Sequence, residues 1–145
     1  MNARSLGPKL QSLIDCMEEK EAGLCVVTET WFKEGRKLDE DSEWMRETAG
    51  LGMISRCRRA QENGVAYGGV SLIWGDSLFS MRRVRMANPE DFEVVVGAGS
   101  LRGHTRKVLL VGCYVPLNYD RRWGMKCMEY ILDVLIELKR HFCSR

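Results

Sequence analysis

Glu29 is the first residue in this chain whose position points to chemistry. It follows Leu24-Cys25-Val26-Val27-Thr28, a continuous β-rich apolar run of the kind found in a strand buried on both faces. A carboxylate at that point has its backbone fixed by the core while its oxygens reach into a cleft. Magnesium prefers carboxylate oxygens and keeps several of its waters, so one or two acidic groups at strand ends suffice to hold it. Tyr114 ends a second apolar run, Val108 to Tyr114, and carries a hydroxyl to its rim. Each residue also has a plainer reading. Glu29 is otherwise the first solvated residue after a buried strand, and Tyr114 a core tyrosine with its hydroxyl at the surface.

The rest of the chain supplies elements to position these groups. Leu6, Leu10, Leu13, Ile14 and Met17 recur at helical spacing behind Gly7-Pro8, and proline suits a first helical turn. Gly23 is the expected stop for that helix. Lys33 to Glu47 is charged and without clean period, which predicts loop with one helical turn at most. Strands are expected at Gly50 to Cys57, Gly68 to Trp74, Phe92 to Val96 and Val108 to Tyr114. A polar turn is expected over Arg58 to Gly64, and a turn-rich link from Gly97 to Arg106 makes the last two strands an antiparallel pair. The final helix is the clearest. Trp123, Cys127, Tyr130, Ile131, Val134, Leu135, Leu138 and Phe142 form one stripe, with Lys126, Glu129, Asp133, Glu137 and Arg140 opposite and Asp120 as a cap.

With 145 residues, 45% hydrophobic and 29% charged, the chain has the balance of one globular domain. Twenty-two basic against twenty acidic residues leave a charge of +2, which neither indicates nor excludes a nucleic-acid partner. Basic clusters at Arg56-Cys57-Arg58-Arg59, Arg82-Arg83-Val84-Arg85 and Arg121-Arg122 are solvated faces or phosphate contacts. Six cysteines are scattered without C-x-x-C pairs, so neither a zinc site nor a disulfide framework is indicated; free thiols in a reducing compartment are expected. No run reaches signal-peptide or membrane-span length, which predicts an intracellular protein away from membranes.

Four segments in order say more: Asn2-Ala3-Arg4-Ser5-Leu6, Thr28-Glu29-Thr30-Trp31-Phe32, Gly68-Gly69-Val70, and Tyr114-Val115-Pro116-Leu117-Asn118. Together they resemble the endonuclease/exonuclease/phosphatase superfamily, and within it the endonuclease domains of LINE-type (non-LTR) retroelements. That resemblance implies an α/β (α+β) fold, here part of a four-layer sandwich with two mixed β-sheets packed face to face and helices outside. It implies a magnesium- or manganese-dependent phosphodiesterase that nicks DNA, with no obligate protein partner inferred. Glu29 matches the metal ligand, Asn2 the asparagine beside the metal, Tyr114 a phosphate contact, and Asn118 the asparagine after the proline. Arg4 and Trp31 lie next to these positions, within reach of DNA.

The family also carries a first core strand, a G-D-x-N segment and a C-terminal aspartate–histidine pair. None of these is found in residues 1–145, and His104 and His141 match no catalytic position. The expectation is therefore a single partial domain over 1–145, lacking the first strand and the C-terminal part, and inactive as an isolated chain. Two alternatives stand beside it: a degenerate noncatalytic fragment that binds nucleic acid weakly, and a phosphatase of the same superfamily.

Overall fold

A computed structural model describes residues 1–32, 38–57, 68–84, 92–115 and 121–143, apart from the side chains of residues 121, 123 and 140–143. The elements follow in the order α1 (Leu10–Glu19), β1 (Leu24–Thr28), α2 (Leu38–Ala49), β2 (Leu51–Arg56), β3 (Val70–Gly75), β4 (Phe79–Val84), β5 (Glu93–Leu101), β6 (Lys107–Tyr114) and α3 (Arg121–Cys143). A 3-10 turn, Gly7–Lys9, leads into α1 with Pro8 in its first positions, as the sequence predicts.

Two three-stranded sheets result, ordered β1-β3-β2 and β4-β5-β6. Every named strand pairs antiparallel with its neighbour. A parallel contribution comes from the isolated bridge of Asn2 with Thr28, on the outer side of β1.

Side-chain alternation along each strand sorts the apolar residues into three layers of contact. Val27, Met53 and Ile73 face outward from the first sheet and bury the α1 stripe of Leu10, Leu13, Ile14 and Met17 together with Met45 of α2. Val94, Val96, Leu109, Val111 and Cys113 face outward from the second sheet and meet Cys127, Val134 and Leu138 of α3. Between the sheets lie Val26, Ile54, Val70, Leu72, Val95, Leu110 and Tyr114. The order helices, sheet, sheet, helix is the four-layer α+β sandwich that the sequence leads one to expect.

Gly112 sits on the inner face of β6, where a Cβ would stand 3.1 Å from both Leu72 and Val95 and 3.2 Å from Val70. That spacing is tighter than ordinary side-chain contact, so glycine here lets the two sheets approach.

Several expectations are corrected. Residues 38–47, read as loop with one helical turn, belong to α2 (Leu38–Ala49); residues 33–37, the start of that stretch, lie outside the described residues. The helix buries only Met45, and its stabilising signal is the acidic first turn Asp39-Glu40-Asp41 against the helix dipole. Strand β4 was unforeseen, and the expected turn from Gly97 to Arg106 shrinks because β5 continues to Leu101. Helix α1 ends within the expected Lys20 to Gly23, but Glu21 (φ 50°) and not Gly23 takes the left-handed backbone, and the Gly23 carbonyl accepts the Gly75 N–H at 3.0 Å. On α3, Leu135 is 41% exposed instead of joining the buried stripe, alongside exposed Met125, Met128, Leu132 and Ile136. The turn at 58–64 and the cap at Asp120 lie outside the described residues.

Among the described residues, no helix is long and apolar enough to cross a membrane.

Candidate active site

The register brings five strand ends to one end of the sandwich. Thr28 and Arg56 both pair with Val70, so β1 and β2 finish where β3 begins. Glu93 pairs with Tyr114, so β5 begins where β6 finishes. The candidate residues Glu29 and Tyr114 are each placed by this register and not by their neighbours in sequence.

The backbone of the first motif is laced onto that of the second. Thr28 donates its N–H to the Met1 carbonyl at 2.8 Å. Ala3, Ser5 and Leu6 donate theirs to the carbonyls of Thr28, Glu29 and Thr30, each at 2.9 Å. The Lys9 ammonium then caps the turn by donating to the Ala3 and Arg4 carbonyls, at 2.6 and 3.1 Å. Asn2 therefore lies beside the strand end that presents Glu29, with its side chain exposed.

Four non-glycine residues here occupy the left-handed region: Arg4 (φ 43°), Ser5 (φ 78°), Glu29 (φ 53°) and Trp31 (φ 52°). Each such conformation costs on the order of 1–3 kcal/mol and persists only where its surroundings over-determine it. The surroundings do so. Thr30 and Phe32, the residues alternating with the strained pair, are 0% and 1% exposed. The Trp31 N–H donates to the Gly68 carbonyl at 2.9 Å. Gly69, at φ 88°, passes so close to Thr30 that a Cβ would stand 2.4 Å from its hydroxyl oxygen. Both glycines before β3 take left-handed backbone (φ 95° and 88°) that favours glycine, and at Gly69 contact with Thr30 also leaves no room for a side chain.

The geometry holds the Glu29 carboxylate between two elements. Tyr114 donates its hydroxyl to Glu29 Oε1 at 2.9 Å, across 85 residues of chain. Arg4 Nε lies 4.0 Å from Glu29 Oε2; with the Arg4 side chain 80% exposed, water screens this pair, and it contributes field more than stability. Glu29 itself is 18% exposed, open enough to meet an ion and held well enough to orient it. A hydroxyl-oriented carboxylate on a strained, rigid turn is suited to a hard divalent cation that keeps most of its waters. Among the described residues, no group of three or more His, Cys, Asp and Glu side chains gathers around it.

The structure thus joins Glu29 and Tyr114 directly and sets Asn2 alongside, while Asn118 lies outside the described residues. Trp31 is half-buried beside the turn. Of the basic clusters, Arg82, Arg83 and Arg122 are exposed; Arg58, Arg59 and Arg85 lie outside the described residues, as does the Arg121 side chain. His104 is exposed, as expected of a surface residue, and the His141 side chain lies outside the description.

One residue was missed. Glu93 is 6% exposed, shares the inner face with Tyr114, and brings its carboxylate within 3.1–3.3 Å of where a Gly68 Cβ would be. The available signal was a charged residue interrupting the apolar run Phe92 to Val96. It lies next to Gly68, whose carbonyl accepts the Trp31 N–H.

Removing the Tyr114 hydroxyl is expected to loosen the carboxylate without unfolding the domain. Tyr114→Phe keeps the ring between the sheets and loses a charge-assisted hydrogen bond, a cost of roughly 1.5–3 kcal/mol at most. If Glu29 holds a cation, manganese affinity should fall by about 10-fold, the lower end of what loss of a supporting group costs. Titration by water-proton relaxation reads this directly, and unchanged affinity would show that the tyrosine does not orient Glu29.

The chain matches no family model and no curated protein in the comparisons made.

Proposed function

We propose that this chain carries the metal-binding half of a magnesium-dependent phosphodiesterase site of the retroelement endonuclease type, acting on DNA. The single observation that supports this reading most is the hydrogen bond from Tyr114 to Glu29. Two residues singled out as strand ends and linked to each other only by the motif resemblance, far apart in sequence, meet at 2.9 Å at one end of the sandwich. Neither the composition nor the local pattern around either residue required that meeting.

In this reading Glu29 holds the cation, whose chemistry when bound is to polarise a phosphate oxygen and lower the pKa of a coordinated water. The chain's own residues do the rest that falls to them. Tyr114 fixes the carboxylate with its hydroxyl hydrogen, and would contact a phosphate only by turning that same hydrogen to a phosphate oxygen. Asn2 presents an amide next to the metal position. Arg4, exposed at the same rim, attracts the polyanion and is screened as salt rises. The DNA backbone approaches from the end where β1 and β6 finish, since the half-buried Glu29 is partly open to solvent there.

The test is nicking of supercoiled plasmid with magnesium, by the 145-residue chain and by any longer, extended natural protein that contains it. Manganese binding to the 145-residue chain is measured in parallel. Metal-dependent nicking by the extended protein, lost in Glu29→Ala, is expected. Nicking that survives Glu29→Ala, or manganese binding indifferent to it, would overturn the assignment. A noncatalytic relic would show neither nicking nor Glu29-dependent binding, and a phosphatase of the same superfamily would bind metal and spare DNA.

A further inference from the structure

Outside the candidate site, one pair of nucleophilic side chains stands closer than packing alone demands. Cys113 on β6 and Cys127 on α3 place their sulfur atoms 2.8 Å apart, one thiol donating to the other. The two residues are 14 apart in sequence and give no C-x-x-C signal, which is why the sequence shows them only as scattered thiols. Cys127 is 4% exposed and Cys113 half-buried, both within the layer where α3 covers the second sheet. Both are free thiols in this structure.

We propose that Cys113 and Cys127 are a reversible disulfide site, formed under peroxide, that fastens α3 to strand β6. Sulfur atoms 2.8 Å apart need only a small approach to reach the ~2.0 Å of a disulfide, and both already sit on packed elements. The chemistry balances with hydrogen peroxide as oxidant. The Cys113 thiolate, on the more accessible of the two residues, attacks a peroxide oxygen to give a sulfenic acid and hydroxide. The Cys127 sulfur then attacks the sulfenic sulfur, and the hydroxyl leaves as water. Overall, two thiols and one peroxide give one disulfide and two waters.

Burial pushes the Cys113 thiol up, reinforced by its hydrogen bond with Cys127, that neighbour's charge and Glu93. A scarce thiolate reacts slowly, so the pair answers sustained oxidation and not a brief pulse. The bond closes the chain from 113 to 127 into a ring. This stabilises the fold by restricting the unfolded chain, in the loop-entropy account.

This inference is independent of the proposed enzymatic site, and its test does not use activity. The full chain is treated with hydrogen peroxide, its remaining thiols are blocked with N-ethylmaleimide, and tryptic peptides are mapped. The expected product joins the peptide from Val108 to Arg121 with that from Cys127 to Lys139, two hydrogens lighter than their sum. Melting is expected to rise by on the order of 5 °C on oxidation and to return with dithiothreitol. Cys127→Ala should abolish both effects, while Cys16→Ala keeps them. Maleimide on both Cys113 and Cys127 after oxidation would overturn the proposal. So would cross-links spread over the other cysteines, or an unchanged melting temperature in a cross-linked chain.

Discussion

If the proposed function holds, Glu29→Ala is expected to reduce metal-dependent nicking by on the order of 10³-fold, because it removes the carboxylate assigned to the cation. Metal polarisation of a phosphate is worth several kcal/mol of transition-state stabilisation, and each 1.36 kcal/mol is tenfold in rate. The substitution is a clean one. Alanine keeps a Cβ at the left-handed position, so the backbone there bears the same penalty as before, and the side chain removed is partly exposed and not part of the core. Circular dichroism should therefore be unchanged while manganese binding is lost. A loss of nicking that came with a loss of fold would instead make Glu29 a structural residue.

Phe32→Ala is expected to have the largest effect on stability, about 3–5 kcal/mol. Phe32 is 1% exposed and belongs to the cluster of α1, α2 and the outer face of the first sheet. Domains of this size hold on the order of 5–15 kcal/mol in total, so the variant should be marginal at physiological temperature. Its second consequence is local. Phe32 and Thr30 are the buried anchors that keep Glu29 and Trp31 in their strained conformations. Chemical denaturation measures the first effect; the second appears as weakened manganese binding at temperatures where the variant is still folded. Full-strength binding in a destabilised Phe32→Ala would show that the turn is held by Thr30 and Gly69 alone.

What could be read from the chain depended on how far each feature lay from its cause. Strand β1 was legible as a short apolar, β-branched run, although only Val27 of it is fully buried and the other four residues are half-buried. Helix α1 was legible as a single stripe. Helix α3 was less so, for it is apolar on two sides, and periodicity cannot say which side meets the sheet; hence Leu135 was assigned to the wrong one. Strand β4 was hidden because it is an exposed edge whose adjacent Arg82 and Arg83 break the period of two. Helix α2 buries one residue, so it leaves almost no hydrophobic pattern to find.

The candidate site shows the same limit more sharply. Glu29 and Tyr114 were each visible as strand-end residues, but nothing local encodes a hydrogen bond between them. Their meeting depends on two sheets packing with the right ends together, and only the motif resemblance linked them beforehand. Glu93 and the Cys113–Cys127 contact had no such help. Both arise from register and layer packing, which a linear reading does not reach.

The hydrogen bond from Tyr114 to Glu29 also says something about time. A contact spanning 85 residues closes one of the longest loops in the chain, and it joins sheets that must each assemble first. Loop closure on that scale costs entropy before it returns any contact energy, and chains rich in such pairings fold slowly. Helices α1 and α3 and the β5–β6 hairpin are local and can form early, whereas β1–β3 pairing and sheet docking come late. The Glu29–Tyr114 contact, and with it the proposed metal position, is therefore expected to be completed late in folding. A chain that binds cation through Glu29 has already completed its sandwich.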